Sequence, residues 1–304
     1  MKKEEILSKY QDKGYLIGRN IIHPPDLNPL RNYLSQRIDE YAREQFKWDK
    51  IKSLYENLSF ERRLAAICEE RAISKVDFNF FPSSIDYFAR YGPILYELYQ
   101  NPEILRILGI LLGSEVNNHG LPQLRSKLPG SIETSFPWHQ DSLYYNEPVR
   151  GTWEKGTEKL HILTVWVPLV DVTIGNGCLW IIPGSHRWGL LKGARSDDNV
   201  VRMEDNVETR GTPTPLPMKL GDVLFLTNLT VHTSKLNKSN KSRWSIDFRN
   251  HATPESRSLS DLERSAAKYL NDKARSNGWE PLTVITDGCK PSWEEWFNAK
   301  KKLI

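Results

Sequence analysis

Cysteine is scarce in this chain of 304 residues: Cys68, Cys178 and Cys289 stand far apart, with no Cys-x-x-Cys spacing. An odd, sparse set argues against a disulfide framework or a thiolate zinc site and for a reducing compartment. Long apolar runs are missing too. Ile107 to Leu112 is among the longest, far short of the roughly 20 residues that cross a bilayer. The opening Met1-Lys2-Lys3-Glu4-Glu5 lacks the apolar centre of a signal peptide, so the expectation is a cytoplasmic protein with no membrane partner. An excess of one charge is also lacking: 42 Lys and Arg against 38 Asp and Glu leave +4, spread along the chain apart from Lys300-Lys301-Lys302. That balance argues against nucleic acid as a partner. What the chain does have is aromatic bulk, with ten Trp and 11% aromatics in a 39% hydrophobic composition. Such a chain folds, buries a substantial core and lines cavities with rings.

The pattern changes twice along the chain. Residues 2–13 read as an amphipathic helix capped by Gly14, and Tyr15-Leu16-Ile17 as a first strand. Helical spacing recurs over about 27–47, 59–73, 92–100 and 102–112, and Phe78-Asn79-Phe80-Phe81-Pro82 reads as a loop near a cavity. After residue 114 strands and turns take over. Candidate strands are 115–125, 132–139, 162–170, 178–182, 223–226, 230–234 and 242–250. Turns are expected at Lys127-Leu128-Pro129-Gly130 and Gly175-Asn176-Gly177. Residues 147–159 read as a mobile loop and the polar stretch 192–215 as a long surface loop. Helix returns at 258–276 and near 292–302, with Trp279, Trp293 and Trp296 expected to pack back onto the sheet. The reading is one mainly β domain over 1–304 with flanking helices: a helical flank about 1–113, a β core about 114–252 and a helical cap about 253–304.

Trp138-His139-Gln140-Asp141 stands out in the core. A His-x-Asp pair on an extended segment directs both side chains to one face. His232, on a later predicted strand, completes a set of two histidines and one carboxylate. Such a facial triad fills three positions of a ferrous ion and leaves three for co-substrate and oxygen. Arg243 follows the second histidine by eleven residues. An arginine inside a β core is costly without an anion, and a dicarboxylate such as 2-oxoglutarate supplies one. Together these residues point to an oxygenase that uses Fe(II) and 2-oxoglutarate.

Five segments carry a family resemblance: Trp138-His139-Gln140-Asp141; Val165-Trp166-Val167-Pro168-Leu169; Asn176-Gly177-Cys178-Leu179-Trp180-Ile181-Ile182-Pro183-Gly184-Ser185-His186; His232 with Arg243; and the early Asp12-Lys13-Gly14-Tyr15-Leu16-Ile17. Between about residues 6 and 250 the chain resembles the phytanoyl-CoA dioxygenase family. The resemblance implies a double-stranded β-helix core (jelly roll, cupin-like). It also implies Fe(II) held by His139, Asp141 and His232, with 2-oxoglutarate and O2 as co-substrates. Arg243 and the Ser234 hydroxyl are implied for the distal carboxylate of 2-oxoglutarate, and Trp166 and Gln123 for the wall of its pocket. Tyr144, Tyr145, Phe80 and Arg249 are candidates for shaping the substrate pocket, whereas His119, His161, His186 and His251 read as structural. One departure is visible: family members carry a lysine before the core for the co-substrate carboxylate, and no equivalent stands near 83–90, where Pro82-Ser83-Ser84-Ile85 is found.

The implied chemistry is hydroxylation of an unactivated C–H bond of a small-molecule metabolite, with release of succinate and CO2. Related halogenases have a small residue where Asp141 stands, so hydroxylation is favoured over halogenation. Two rival readings are a jelly-roll metalloprotein with non-oxidative chemistry and a non-catalytic binding module. Arg243 counts against the first, and the intact triad against the second. The expected partner is a small molecule, and the expected state a monomer or homodimer.

Overall fold

Strand β12 (Arg243–Ala252) organises the molecule, because its sequence alternates strictly. Arg243, Ser245, Asp247 and Arg249 fall on one face, and Trp244, Ile246 and Phe248 on the other. A strand with a period of two and three large apolar side chains in a row on one face must bury them against something. The computed structural model describes residues 1–73, 92–118, 122–145, 159–196, 200–276, 280–286 and 290–301. The expectations for Phe78–Pro82, the region of 83–90, His119, Trp279, Cys289 and nearly all of 147–159 lie outside those residues.

Among the described residues, β12 lies within a seven-stranded antiparallel sheet with β1 (Tyr15–Gly18), β10 (Val223–Thr227), β5 (Leu163–Pro168), β2 (Val116–Asn118) and β13 (Leu282–Ile285). The seventh strand, β3 (Gln123–Lys127), pairs with the first half of β12. A second antiparallel sheet has the order β4 (Phe136–His139), β11 (His232–Ser234), β6 (Leu179–Ile181), β9 (Thr214–Leu216).

The apolar face of the large sheet is covered by helices. Leu163, Val165, Val167, Val223, Phe225, Trp244, Ile246 and Phe248 share one core with residues of α1 (Lys3–Lys13), α2 (Asn28–Lys47), α3 (Phe60–Glu70), α4 (Pro93–Tyr99) and α5 (Pro102–Leu112). Tyr99 meets Phe248 edge-on at 4.8 Å, a geometry that adds to simple burial. The other face of the large sheet looks toward the small sheet and is divided. Trp166, Leu224 and Leu226 pack with Leu179, Ile181 and Leu216 into a dry half. The β3–β12 half instead presents Gln123, Arg125, Lys127, Arg243, Ser245, Asp247 and Arg249. The candidate site is built against this polar half.

The flank is fixed to the core at Gly14. Its left-handed φ of 76° closes α1, with its N–H donating to Tyr10 O. A Cβ there would meet His186 Nδ1 at 2.4 Å and Thr230 Oγ1 at 2.5 Å, so a glycine is required. Thr230 donates to Gly14 O at 2.8 Å, joining the flank to the segment just before β11.

The cap follows the expected pattern, with helices α6 (Asp261–Ser276) and α7 (Trp293–Lys301). Trp296 enters the main core and donates its indole N–H to Glu280 O, and Trp293 packs beside it. Three expectations need correcting. The stretch 192–215 is not merely loop: β7 (Gly193–Arg195) and β8 (Val201–Met203) form a ribbon, and β9 joins the small sheet. Segments of three residues are too short to display a period, and this one is rich in polar residues. Lys127 still belongs to β3 and is buried, so the turn expected at Lys127-Leu128-Pro129-Gly130 begins after it. Strand β13, which the sequence reading passes over, extends the large sheet beyond β2. Among the described residues no helix is long and apolar enough to cross a membrane.

Candidate metal centre

His139 ends β4 and His232 begins β11, and the two are direct cross-strand partners. Antiparallel pairing therefore brings them together, with ring centroids 4.1 Å apart. Asp141 lies beyond the end of β4, so a turn, not the strand period, carries it to the histidines. Gln140 holds that turn. Its buried amide donates to Gly189 O and Leu229 O and accepts from Leu191 N, at 2.6 to 2.8 Å. Asp141 Oδ1 comes within 3.8 Å of His139 Nε2 and 3.7 Å of His232 Nε2. Transition-metal bonds of about 2.1 Å to each atom span such separations. Among the described residues these three form the one cluster of His, Cys, Asp or Glu arranged to hold an ion.

The donors are also in the right chemical form. His139 Nδ1 lies 2.8 Å from Pro137 O, and His232 Nδ1 lies 3.0 Å from Thr230 O. Each carbonyl accepts an Nδ1–H, which leaves the Nε2 lone pairs turned to the centre. Burial, helped by neighbouring His232, pushes His139 down to about 3, so it is a neutral imidazole at physiological pH. For Asp141 burial acts in the opposite direction, but Arg249, the two histidines and the Thr164 hydroxyl outweigh it and hold the carboxyl below its usual range. Two imidazole Nε2 donors and one carboxylate fit a divalent iron.

A second feature lies on the facing large sheet, at the β3–β12 pair. Arg243 is buried to 2% exposure, and its Nε has no hydrogen-bond partner among the described residues. Its guanidinium reaches only as far as Ser245 Oγ, at 3.5 Å, and lies 5.4 Å from the Trp166 ring centre. Burial, then nearby Arg125, lowers it to about 10. Lys127, directly opposite on β3, is buried as well. Its Nζ lies within 2.7 to 3.3 Å of Thr134 O, Ser135 Oγ and Ser234 O, and burial followed by Arg243 and Arg125 pushes it down to about 6. Ser234 Oγ is buried with no partner among the described residues. A buried guanidinium beside a buried basic amine and such a hydroxyl is costly unless an anion enters.

The expected site residues therefore divide. His139, Asp141 and His232 converge. Arg243, Ser234 and Trp166 gather around Lys127 and Arg243, with Trp166 serving both as apolar core and as a ring beside the guanidinium. Gln123 stands on β3 in register with Asp247. Tyr144 sets its ring edge-on to His139 at 5.5 Å. Arg249 lies 3.7 Å from Asp141 Oδ2 and is paired with Asp247. Phe80 and the side chain of Tyr145 lie outside the described residues. His161 with Tyr10, and His186 with Gln11 O, make local hydrogen bonds away from the triad, as a structural role requires. Sequence reasoning missed Lys127, Gln140, Thr164 and Arg125. The signal for Arg125 and Lys127 was present: Gln123-Leu124-Arg125-Ser126-Lys127 places its three long polar residues on one face of a strand.

Comparison with known proteins covers most of the chain. The family model described as phytanoyl-CoA dioxygenase matches residues 10–245. A probable phytanoyl-CoA dioxygenase of Caenorhabditis elegans is 24% identical over 296 residues, covering 91% of this chain and 86% of that protein. A phytanoyl-CoA dioxygenase domain-containing protein 1 of Danio rerio is 25% identical over 280 residues, covering 81% and 88%. Among solved structures, the apo form of the non-heme monooxygenase ThoJ matches at 16% identity with a TM-score of 0.57, covering 98% of this chain and 92% of that one. EctD from S. alaskensis, solved with 2-oxoglutarate and 5-hydroxyectoine, matches at 18% identity and a TM-score of 0.53, covering 83% and 77%. At these identities the structural likeness speaks for the fold.

Proposed function

This chain belongs to the phytanoyl-CoA dioxygenase family, and from that premise we propose that it is an Fe(II)- and 2-oxoglutarate-dependent dioxygenase hydroxylating an unactivated C–H bond of a small, soluble metabolite. The observation that carries the reading is a space between two sheets, where a triad of suitable donor type on the small sheet faces a large-sheet strand pair bearing a buried arginine and lysine with no carboxylate partner among the described residues. Its two antiparallel sheets are read as the walls of a double-stranded β-helix within one domain, working in the cytoplasm.

His139, Asp141 and His232 would hold the iron, the histidine rings oriented by Pro137 O and Thr230 O and the carboxylate kept charged by its surroundings. Arg243 and Lys127 would bind the distal carboxylate of 2-oxoglutarate, and the Ser234 hydroxyl would donate to it. When bound, iron and 2-oxoglutarate supply the oxidising power, with oxygen consumed and succinate and CO2 released. The chain's contribution is positioning and exclusion of water. Trp166 closes one side of the dicarboxylate pocket with apolar surface. Tyr144, against His139, lines the approach to the triad, where a substrate is held close to the reacting centre. Buried cations argue for this reading over non-oxidative metal chemistry, which has no use for a dicarboxylate pocket.

Arg243→Ala tests the assignment. Removing the partner of a buried carboxylate is expected to weaken 2-oxoglutarate binding by at least about 100-fold, while Fe(II) or Mn(II) binding by the triad changes little. Isothermal titration of each ligand measures both. Equal loss of metal and 2-oxoglutarate binding, or no succinate release from the wild type over a panel of metabolites, would count against the assignment.

A further inference from the structure

Asp141 presents its two carboxylate oxygens to different surroundings. Oδ1 lies near both histidine Nε2 atoms, at 3.8 and 3.7 Å. Oδ2 looks toward the large sheet. There it accepts a 2.6 Å hydrogen bond from Thr164 Oγ1, and Arg249 NH2 stands 3.7 Å away. Thr164 and Arg249 are directly opposed residues of β5 and β12, so a single cross-strand pair delivers both contacts. Each is itself held in place. Thr164 is buried and β-branched, which restricts its rotamers. Arg249 pairs with Asp247, whose other oxygen is 3.5 Å from Arg125 Nε. None of this is required to gather the three ligand atoms, because β4, β11 and the Gln140 clamp achieve that alone.

A carboxylate is able to bind a metal through one oxygen or both. Binding through both would occupy one of the three positions that a facial triad leaves open. We propose that Thr164 and Arg249 are positioning residues that reserve Oδ2 of Asp141, limiting the aspartate to a single metal bond through Oδ1 and keeping three coordination positions open. The inference rests on the divalent-metal reading given above. It reassigns Arg249 from substrate recognition to control of the ligand. It also explains why the large sheet, which supplies no metal ligand, reaches across to the triad: it sets how many positions remain for a chelating 2-oxo acid and a gas.

The test uses Mn(II), a hard ion that favours six oxygen or nitrogen donors, and the chain's own apoprotein. Water-proton relaxation counts the exchangeable waters on bound Mn(II). Thr164→Val keeps the β-branched shape and removes the hydroxyl, and Thr164→Ser restores it. In the Val variant the water count is expected to fall by about one in three as Oδ2 joins the metal. Its affinity for 2-oxoglutarate on the Mn(II) form is expected to fall about tenfold or more, with Mn(II) affinity retained. The Ser variant should match wild type in all three readouts, and Arg249→Gln should shift them in the same direction as Val. A Val variant with wild-type water count and 2-oxoglutarate affinity overturns the proposal, even if its melting temperature drops, because the hydrogen bond would then be structural only. A wild-type protein that binds no divalent ion removes the underlying reading and the proposal with it, a separate and distinguishable failure.

Discussion

Lys127 is the side chain whose environment changes most if a dicarboxylate enters. Burial and the facing arginines leave its amine largely neutral above about 6. A carboxylate set between Lys127 and Arg243 favours the charged form and raises that value. The sign follows: between the two values the complex holds a proton that the free protein lacks, so binding takes up a proton. Affinity for 2-oxoglutarate should therefore weaken as pH rises above about 6, by up to about tenfold per unit. Calorimetry at pH 7.5 in buffers of different ionisation enthalpy measures that uptake. Lys127→Met, which keeps the buried chain length, should bind more weakly and show no uptake; equal proton uptake in the variant would contradict the assignment. The sequence reading looked for such a lysine near 83–90 by resemblance. The residue proposed for that role, Lys127, sits on β3, where burial of a lysine is legible only through its cross-strand partner Arg243.

At the scale of elements, legibility followed period and length. Ten residues of β12 and the helical stripes of α1, α2 and α5 repeat often enough to declare their faces, and the structure places them as read. His139 and His232 were legible as a pair because one lies in a His-x-Asp motif on a strand and the other on a strand shortly after the apolar run Val223-Leu224-Phe225-Leu226. Three-residue strands such as β7, β8 and β9 carry less than two periods, and tertiary pairing, not propensity, makes them strands. The turn Gly175-Asn176-Gly177 shows a further dependence that no local pattern reveals. Gly177 has φ of 80°, and a Cβ there would meet Lys127 Cε at 2.6 Å and Lys235 O at 2.7 Å. The glycine is therefore the floor under the buried lysine as well as a turn residue. Gly177→Ala is expected to destabilise the fold by more than about 1 kcal/mol. It should also displace Lys127, lowering 2-oxoglutarate affinity while sparing Mn(II) affinity. Urea unfolding and titration of both ligands give the two numbers, and a variant with unchanged 2-oxoglutarate binding would separate the turn from the pocket.

For the whole molecule, the proposed ligands would bridge two layers joined by apolar contact, loops and a few polar bonds such as Lys127 Nζ to Ser234 O. His139 and His232 belong to the small sheet, whereas Arg243, Lys127, Thr164 and Arg249 belong to the large one. The half of the inter-sheet space near β3 and β12 is filled by charges, not by hydrocarbon, so this half contributes little cohesion in the apoprotein. A metal on the triad and a dicarboxylate reaching Arg243 would connect the two sheets. A ligand that binds only the folded state at a hundredfold excess over its Kd contributes about 2.7 kcal/mol. For a chain of this length, that corresponds to a Tm rise of about 5 °C. Mn(II) alone should raise the apoprotein Tm, and 2-oxoglutarate should add a further increment only when the metal is present, because its affinity depends on the chelating half. EDTA should reverse both increments. Scanning calorimetry with metal, 2-oxoglutarate, both and neither decides the point. Independent, additive shifts would mean that the buried cations and the triad serve separate ligands, and a Tm indifferent to both would leave the charged half of the sheet with no anion to account for it.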